Sequence, residues 1–378
     1  MAHPPFLHHG QTLFRDPEVF EPTFVPEHLH HRDAQIRELS FLIQPALQGG
    51  SPMNTILRGP PGTGKTTTVH RVFRELKEST QEIVPVYVNC RQDHTLLAVY
   101  RCISSHLFGY TPPSRHLDDI REGIAARLGE KDARLLVCLD DANYLIPAGT
   151  YNILLYQILR LYEKWDVRGA GVFAVTSDLR LNLYAEADGP VRSIFRPHEV
   201  NFLPYTVGEI REILSDRIRQ GLYLGVVPAP VLDLVAGMAA GEQDIRVGIA
   251  LLRQACLQAE GDGRRRVTRK DVMGVVAGVG SPALAARTAA LSEGERTLLY
   301  RLAEQSLSGD EMMAGAVFEE VQDYLAVGKT TYHARLRRLA DAGIVDLLQT
   351  GKGYKVLLRY APGEVFAACA RGKTPSPG

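Results

Sequence analysis

Short apolar runs alternate with longer amphipathic segments through the first half of the chain. The apolar runs fall at residues 55–57, 84–89, 135–140 and 171–176, and each has the length of a buried strand. The segments between them repeat apolar residues every three to four positions, which is typical of helices. Strands that alternate with helices predict an α/β domain over residues 1–206, with a parallel sheet covered by helices.

The pattern becomes entirely helical after this point. Thr206 and Glu209 have the spacing of a capping box, in which two residues satisfy each other's backbone N–H groups at the start of a helix. Helical periodicity continues through residues 231–239 and 245–259. We therefore predict a small helical domain over residues 207–281, with a Gly/Pro/Ala-rich linker at 278–286.

The remaining residues, 282–378, predict a third domain. Ser292 and Glu295 form a second capping box, and residues 328–343 have the pattern of a helix that ends at a glycine. Two apolar-rich segments, 344–349 and 354–358, are joined by a short glycine-containing turn and predict a β-hairpin. Helices followed by a hairpin predict a winged helix-turn-helix.

Composition narrows the class of protein. The 378 residues carry 43 basic and 43 acidic side chains, so binding to nucleic acid would have to come from a local patch. We expect no signal peptide, because the first residues have no basic region followed by an apolar stretch. The sequence has no run of about 18 apolar residues, and its five cysteines form no C-x-x-C pair. We expect a soluble, cytoplasmic protein with buried thiols and no membrane partner.

A glycine-rich sequence follows the first predicted strand and has the spacing of a P-loop. Its residues are Gly59, Pro60, Pro61, Gly62, Thr63, Gly64, Lys65 and Thr66. In a P-loop the glycines let backbone N–H groups surround phosphates, the lysine reaches the terminal phosphates, and the final hydroxyl ligates Mg²⁺ at a helix N-terminus. We predict that these residues bind nucleotide and that Thr66 is a metal ligand.

Two carboxylates end the third apolar run. Phosphoryl transfer at a P-loop needs acidic groups for the metal and for the attacking water, at the end of a neighbouring strand. Asp140 and Asp141 have this position, about 75 residues after the P-loop. We predict that Asp140 holds Mg²⁺ through its water shell and that Asp141 orients water, with ATP or ADP as the nucleotide.

A local positive charge marks the predicted winged helix. Between residues 328 and 359 the sequence has seven basic and two acidic residues, a net charge of +5. Such a patch is typical of contacts with DNA phosphates, although a winged helix that binds protein is the alternative. The predicted DNA-binding residues are Lys329, Thr330, Thr331, Arg335, Arg338 and Lys352. Lys329 and Lys352 would contact phosphates, and Arg335 or Arg338 would contact guanine edges.

Several segments together resemble the archaeal origin-recognition and replication-initiator ATPases of the AAA+ superfamily, along nearly the whole chain. They are residues 25–32, 59–66, 86–91, 139–141, 200–205, 244–246 and 251–253. The resemblance implies that Val25, Pro26 and Arg32 belong to an adenine-side wall and that Arg246 is the sensor-2 arginine of a lid. It also implies that Thr67 and Tyr205 belong to the nucleotide site.

The chain departs from the family pattern at three positions. Asp141 stands where the family usually has glutamate, and Ser177 stands where it usually has the sensor-1 asparagine. Both side chains are shorter, and a misplacement of about 1 Å can cost about 100-fold in rate. Ile194 stands where relatives with a Ser-Arg pair have the arginine that reaches a neighbouring subunit, and Arg192 is a nearby substitute. We expect tight ATP binding with slow hydrolysis, in which Asp141 and Ser177 are the catalytic residues.

The resemblance implies a replication initiator that binds double-stranded origin DNA in the nucleoid. Its expected partners are the replicative helicase and other initiator subunits. A nucleotide-gated transcription regulator with the same winged helix is the alternative. A motor that remodels protein or DNA is disfavoured, because it would need the fast turnover that Asp141 and Ser177 argue against.

Overall fold

The structure, a computed structural model, describes residues 12–110, 116–279, 282–306, 312–325, 327–350, 353–360 and 362–371. Chain contacts divide the protein into two compact units, residues 1–268 and residues 269–378. The finer boundaries predicted at residues 206 and 281 stay predictions.

The first unit contains a five-stranded parallel sheet. Its strands are β1 (Thr55–Arg58), β2 (Ile83–Asn89), β3 (Arg134–Asp140), β4 (Ala170–Thr176) and β5 (His198–Asn201). The four strands expected from the apolar runs are confirmed. The sequence pattern missed β5, which is four residues long with Val200 as its one buried position.

The strand order places the ends of three strands side by side. The order is β2-β3-β4-β1-β5, so β4 lies between β1 and β3. Because all neighbouring pairs are parallel, the segments that follow β1, β4 and β3 meet at the same edge of the sheet. Ligands of open parallel sheets bind at this carboxyl edge.

Helices surround the sheet and continue beyond it. They are α1 (Asp33–Leu47), α2 (Lys65–Ser79), α3 (Leu96–Phe108), α4 (Leu117–Glu130), α5 (Tyr151–Leu159), α6 (Leu161–Lys164), α7 (Gly189–Ile194), α8 (Val207–Gly221), α9 (Ala229–Gly241) and α10 (Ile245–Gly261), with 3-10 helices at Pro17–Phe20 and Ala142–Leu145. The predicted capping box at Thr206 and Glu209 is confirmed at the start of α8.

Both faces of the sheet are buried, as the apolar runs predict. Every residue of β3 is buried, and successive side chains point to opposite faces. Leu135, Val137 and Leu139 pack with residues of α3, α4 and α5. Leu136 and Cys138 pack on the other face with residues of α1 and α2. This double burial fixes the register of β3, and therefore the position of the two carboxylates at its end.

The second unit contains helices and a two-stranded antiparallel sheet. Its elements are α11 (Arg269–Val279), α12 (Pro282–Ala289), α13 (Glu293–Ser306), α14 (Ala314–Leu325), α15 (Lys329–Asp341), β6 (Val345–Thr350), β7 (Gly353–Leu358) and α16 (Pro362–Arg371). The order α14, α15 and hairpin agrees with the predicted winged helix-turn-helix. Tyr332, Leu336 and Leu339 bury one face of α15 in the core of this unit.

The predicted linker is wrong over residues 282–286, where α12 begins. Proline is favoured at the first position of a helix, and the alanines that follow have the highest helix propensity. The second capping box is confirmed, because the Ser292 N–H donates to Glu295 Oε2 at 2.8 Å. Among the described residues, no helix has the length and hydropathy to cross a membrane.

Candidate functional site

Two adjoining cavities lie at the carboxyl edge of the sheet. The larger cavity has a volume of about 1190 Å³ and is lined by Val25, Pro61, Gly62, Thr63, Gly64, Lys65, Thr66, Thr67, Asp140, Asp141, Ser177 and Arg246, among others. The smaller, of about 470 Å³, is lined by Pro26 and Tyr205 and shares Gly64, Thr67 and Arg246 with the larger. Residues predicted from widely separated segments therefore share one site.

The P-loop has backbone geometry that needs glycine. Gly62 and Gly64 have φ angles of 72° and 86°, in the left-handed region that glycine enters without steric cost. A Cβ added at Gly64 would also lie 2.7 Å from Tyr205 Oη. The loop leads directly into α2 at Lys65, so its backbone N–H groups lie at a helix N-terminus, where anions are favoured.

Lys65 is folded against its own loop. Its Nζ donates to the carbonyl oxygens of Gly59 at 2.6 Å and of Pro60 at 2.8 Å, and the residue is only 5% exposed. Burial lowers the pKa of Lys65 to about 8, although the nearby charges of Asp140 and Asp141 oppose this shift. A buried ammonium group beside carbonyl oxygens is well placed to exchange them for phosphate oxygens.

Asp140 is held by a set of hydrogen bonds. Its Oδ2 accepts from Thr66 Oγ1 and from Tyr87 Oη, both at 2.7 Å, and its Oδ1 accepts from the Asp141 N–H at 3.0 Å. Carboxylate and hydroxyl oxygens are the ligands that Mg²⁺ prefers. Thr66 and Asp140 are therefore already adjacent and suit a magnesium site.

Asp141 adopts an unusual backbone conformation. Its φ angle is 53°, in the left-handed region, which aspartate and asparagine enter more readily than other residues with a side chain. Burial and the neighbouring charge of Asp140 raise the pKa of Asp141. The left-handed backbone at this position therefore favours aspartate over glutamate, independently of the role of Asp141 toward water.

Ser177 follows β4, between the strands that lead to the P-loop and to Asp140. The loop after it is held by Arg58, the last residue of β1, whose Nη2 donates to the carbonyl oxygens of Leu179 and Leu181 at 2.7 Å each. These two hydrogen bonds hold the residues after Ser177 beside the larger cavity, which Ser177 lines.

Arg32 supports the P-loop and lines neither cavity. Its Nε donates to the Thr63 carbonyl oxygen at 2.9 Å and its Nη2 to that of Leu203 at 2.8 Å. Its guanidinium carbon lies 3.8 Å from the centre of the Tyr205 ring. Arg32 therefore connects the P-loop to the chain segment before α8.

Arg192 lies in α7, where its Nη2 donates to the Ala185 carbonyl oxygen at 2.6 Å. Its side chain is exposed. The suggested role of Arg192 toward a neighbouring subunit stays a prediction.

The predicted DNA-binding residues of α15 differ in their surroundings. Lys329, Thr330 and Thr331 are exposed. The guanidinium group of Arg335 packs against Gly294, and Arg338 Nε lies 3.3 Å from Glu295 Oε1 at the start of α13. Lys352 lies outside the described residues.

Comparison with known proteins identifies the family. A model of the AAA ATPase domain matches residues 28–164, and a model of the Cdc6 AAA+ ATPase-type lid domain matches residues 211–275. The ORC1-type DNA replication protein 6 of Halobacterium salinarum is 39% identical over 355 residues, which cover 93% of this chain and 94% of that protein. The chain belongs to the ORC1-type DNA replication proteins. The ORC1-type DNA replication protein 2 of Methanosarcina mazei is 37% identical over 91% of each chain.

Solved structures agree with this membership. The Aeropyrum pernix ORC1 protein in complex with DNA is 26% identical, with a TM-score of 0.66, and the match covers 96% of this chain and 98% of that one. The ORC2 protein of the same organism, in ADPNP-ADP complexes, has a TM-score of 0.72 at 23% identity over 95% of this chain and 98% of that one, a likeness of fold. The resemblance and the fold class inferred from the sequence are confirmed.

Three further residues of this ORC1-type protein lie in or beside the candidate sites and were not predicted individually from the sequence. Tyr87 donates to Asp140 because β2 pairs with β3, and the sequence does not show this pairing. Asp244, just before α10, pairs with Arg246. Arg337 was counted only in the net charge, yet it is exposed and has no bonding partner within the described part of the chain.

Proposed function

We propose that this protein is an ATP-dependent DNA replication initiator. In this proposal it binds Mg²⁺-ATP at the P-loop, hydrolyses it slowly, binds double-stranded origin DNA through α15 and the hairpin, and helps recruit the replicative helicase. The observation that carries the proposal is the hydrogen-bonded pair of Thr66 and Asp140 beside Lys65, in a chain that belongs to the ORC1-type DNA replication proteins.

The binding steps follow from the residues in the cavity. Backbone N–H groups of the P-loop and the Lys65 ammonium group would bind the phosphates, while Thr66 and Asp140 would hold the metal through oxygen ligands. Bound Mg²⁺ would neutralise charge on the phosphates. The base would lie in the smaller cavity, beside Pro26 and Tyr205.

Slow hydrolysis follows from the short side chains beside the cavity. Asp141 and Ser177 both line it, but each is shorter than the family's usual residue. Single-turnover hydrolysis by the wild type, Asp141→Glu and Asp141→Asn tests this point. We expect the glutamate variant to be faster, by up to about 100-fold, because the carboxylate reaches further.

The asparagine variant is the matched control, since asparagine also tolerates the left-handed backbone but cannot orient water as a carboxylate does. It should be slower than the wild type while binding nucleotide normally. Many turnovers per second by the wild type, or an asparagine variant as fast as the wild type, would show that hydrolysis is not limited at Asp141.

DNA binding is supported by the basic surface of α15 and by the Aeropyrum pernix ORC1 protein, which was solved in complex with DNA. Genome-wide footprints of the protein, with and without ATP, test the biological part of the proposal. Occupancy at replication origins is the expected result. Occupancy spread over many promoters would instead indicate a transcription regulator.

A further inference from the structure

Asp244 and Arg246 form a compact pair at the start of α10. Asp244 Oδ1 accepts from the Arg246 backbone N–H at 2.9 Å, which caps the helix. The same carboxylate accepts from the Arg246 side chain, at 2.9 Å from Nε to Oδ1 and 2.5 Å from Nη2 to Oδ2. Both oxygens of the Asp244 carboxylate therefore hold the guanidinium group of Arg246.

The carboxylate of Asp244 also lies against the P-loop. A Cβ added at Gly62 would overlap the Oδ1, Cγ and Cα atoms of Asp244. Only glycine leaves room here, so a negative charge is packed beside the loop that is built to bind phosphates.

Arg246 lies where the two cavities meet. It lines both of them, and its side chain remains 65% exposed despite the pairing with Asp244. Its charge acts on Lys65 and on Asp141, which places it within electrostatic reach of the phosphate-binding residues. A guanidinium fork fits a carboxylate or a phosphate equally well, but the same two N–H groups cannot serve both.

We propose that Asp244 competes with the terminal phosphate of the nucleotide for Arg246, and thereby sets how strongly the site prefers ATP to ADP. This inference rests on the nucleotide binding proposed above. The γ-phosphate brings the extra negative charge that draws Arg246 away from Asp244. ADP lacks this group, so Arg246 stays with the carboxylate.

The test is Asp244→Asn, with affinities for ADP and for a non-hydrolysable ATP analogue measured by calorimetry in Mg²⁺. Asparagine is as good a helix cap as aspartate and has nearly the same size, but it lacks the charge. Both nucleotides should bind more tightly, because a repelling charge is gone. The ATP analogue should gain about 5-fold more than ADP, because Arg246 is released.

Three further variants complete the experiment. Arg246→Ala should lose most of the preference for the ATP analogue over ADP. Adding Asp244→Asn to that variant should not raise the ratio of the two affinities any further. Asp233→Asn breaks a pair with Arg211, at 2.6 Å, that lies outside both cavities, and it should leave the ratio unchanged. Asp244→Ser keeps a capping side chain and replaces the asparagine variant if that variant fails to fold.

An unchanged ratio of ATP-analogue to ADP affinity in Asp244→Asn would overturn the inference, because it would show that Asp244 does not compete for Arg246. A lower ratio would also overturn it, because Asp244 would then orient Arg246 toward the nucleotide. Failure of the folded wild type to bind either nucleotide would be a different result. It would reject the proposed function itself.

Discussion

Lys65 illustrates how burial controls the charge of a single side chain. Its ammonium group is surrounded by protein and donates to two carbonyl oxygens, and burial lowers its pKa from the ordinary 10.5 to about 8. Between these two values the unfolded chain holds a proton that the folded chain has released. The free energy of unfolding therefore receives a contribution from Lys65 that rises with pH between about 8 and 10.5.

Nucleotide affinity should have the opposite dependence on pH. Phosphates favour the protonated lysine, so affinity should fall as the pH rises above about 8, by at most 10-fold per pH unit, while binding takes up a proton. Calorimetry at pH 7 and pH 9, in two buffers of different ionisation enthalpy, measures the affinity and the proton uptake together.

The control for this experiment is Lys77→Ala. Lys77 lines the same cavity, but its side chain is exposed. This variant should keep the dependence on pH. An affinity that stays constant from pH 7 to 9 in the wild type would show that Lys65 does not titrate in this range.

Within α15, the surroundings of each arginine determine what it can contribute to DNA binding. Arg338 is already paired with Glu295, and Arg335 packs on Gly294. Arg337 is exposed and lies on the same side of the helix as the exposed Thr330, two turns after it. The helix therefore presents Arg337 more freely than the two arginines expected from the sequence.

We expect Arg337→Ala to weaken binding to duplex DNA and to reduce the slope of log affinity against log salt concentration by about 1. Arg338→Ala should have a smaller effect, because its charge is partly neutralised. Arg359→Ala is the control, since Arg359 forms a close pair with Asp346. Fluorescence anisotropy over a salt series measures all three, and an equal loss in all three would contradict the distinction.

The sequence could predict elements whose signal is local. The P-loop, the strand before Asp140 and both capping boxes depend on residues that are near neighbours in the chain, and all were placed correctly. β5 was missed because four residues with a single buried side chain carry no periodic signal. The partners of Tyr87, Arg338 and Asp244 also escaped prediction, because side-chain pairing depends on tertiary packing that one sequence does not display.

At the scale of the whole molecule, hydrophobic clusters form within each of the two units. The sheet of the first unit is packed on both faces by its own helices, and the second unit closes a core around Leu298, Leu302, Val317 and Leu336. The proposed nucleotide site is formed entirely by residues of the first unit, and the exposed face of α15 belongs to the second. Each ligand should therefore stabilise the unit that binds it.

Hydrogen exchange followed residue by residue measures this stabilisation separately in each unit. Mg²⁺-ATP at 100 times its Kd should add about 2.7 kcal/mol to the first unit, and duplex DNA should protect the second. Lys65→Ala should abolish the effect of ATP and keep that of DNA, whereas Arg337→Ala should weaken the effect of DNA and keep that of ATP. If ATP alone protected α15 and the hairpin as strongly as the P-loop, the two units would unfold as one cooperative body.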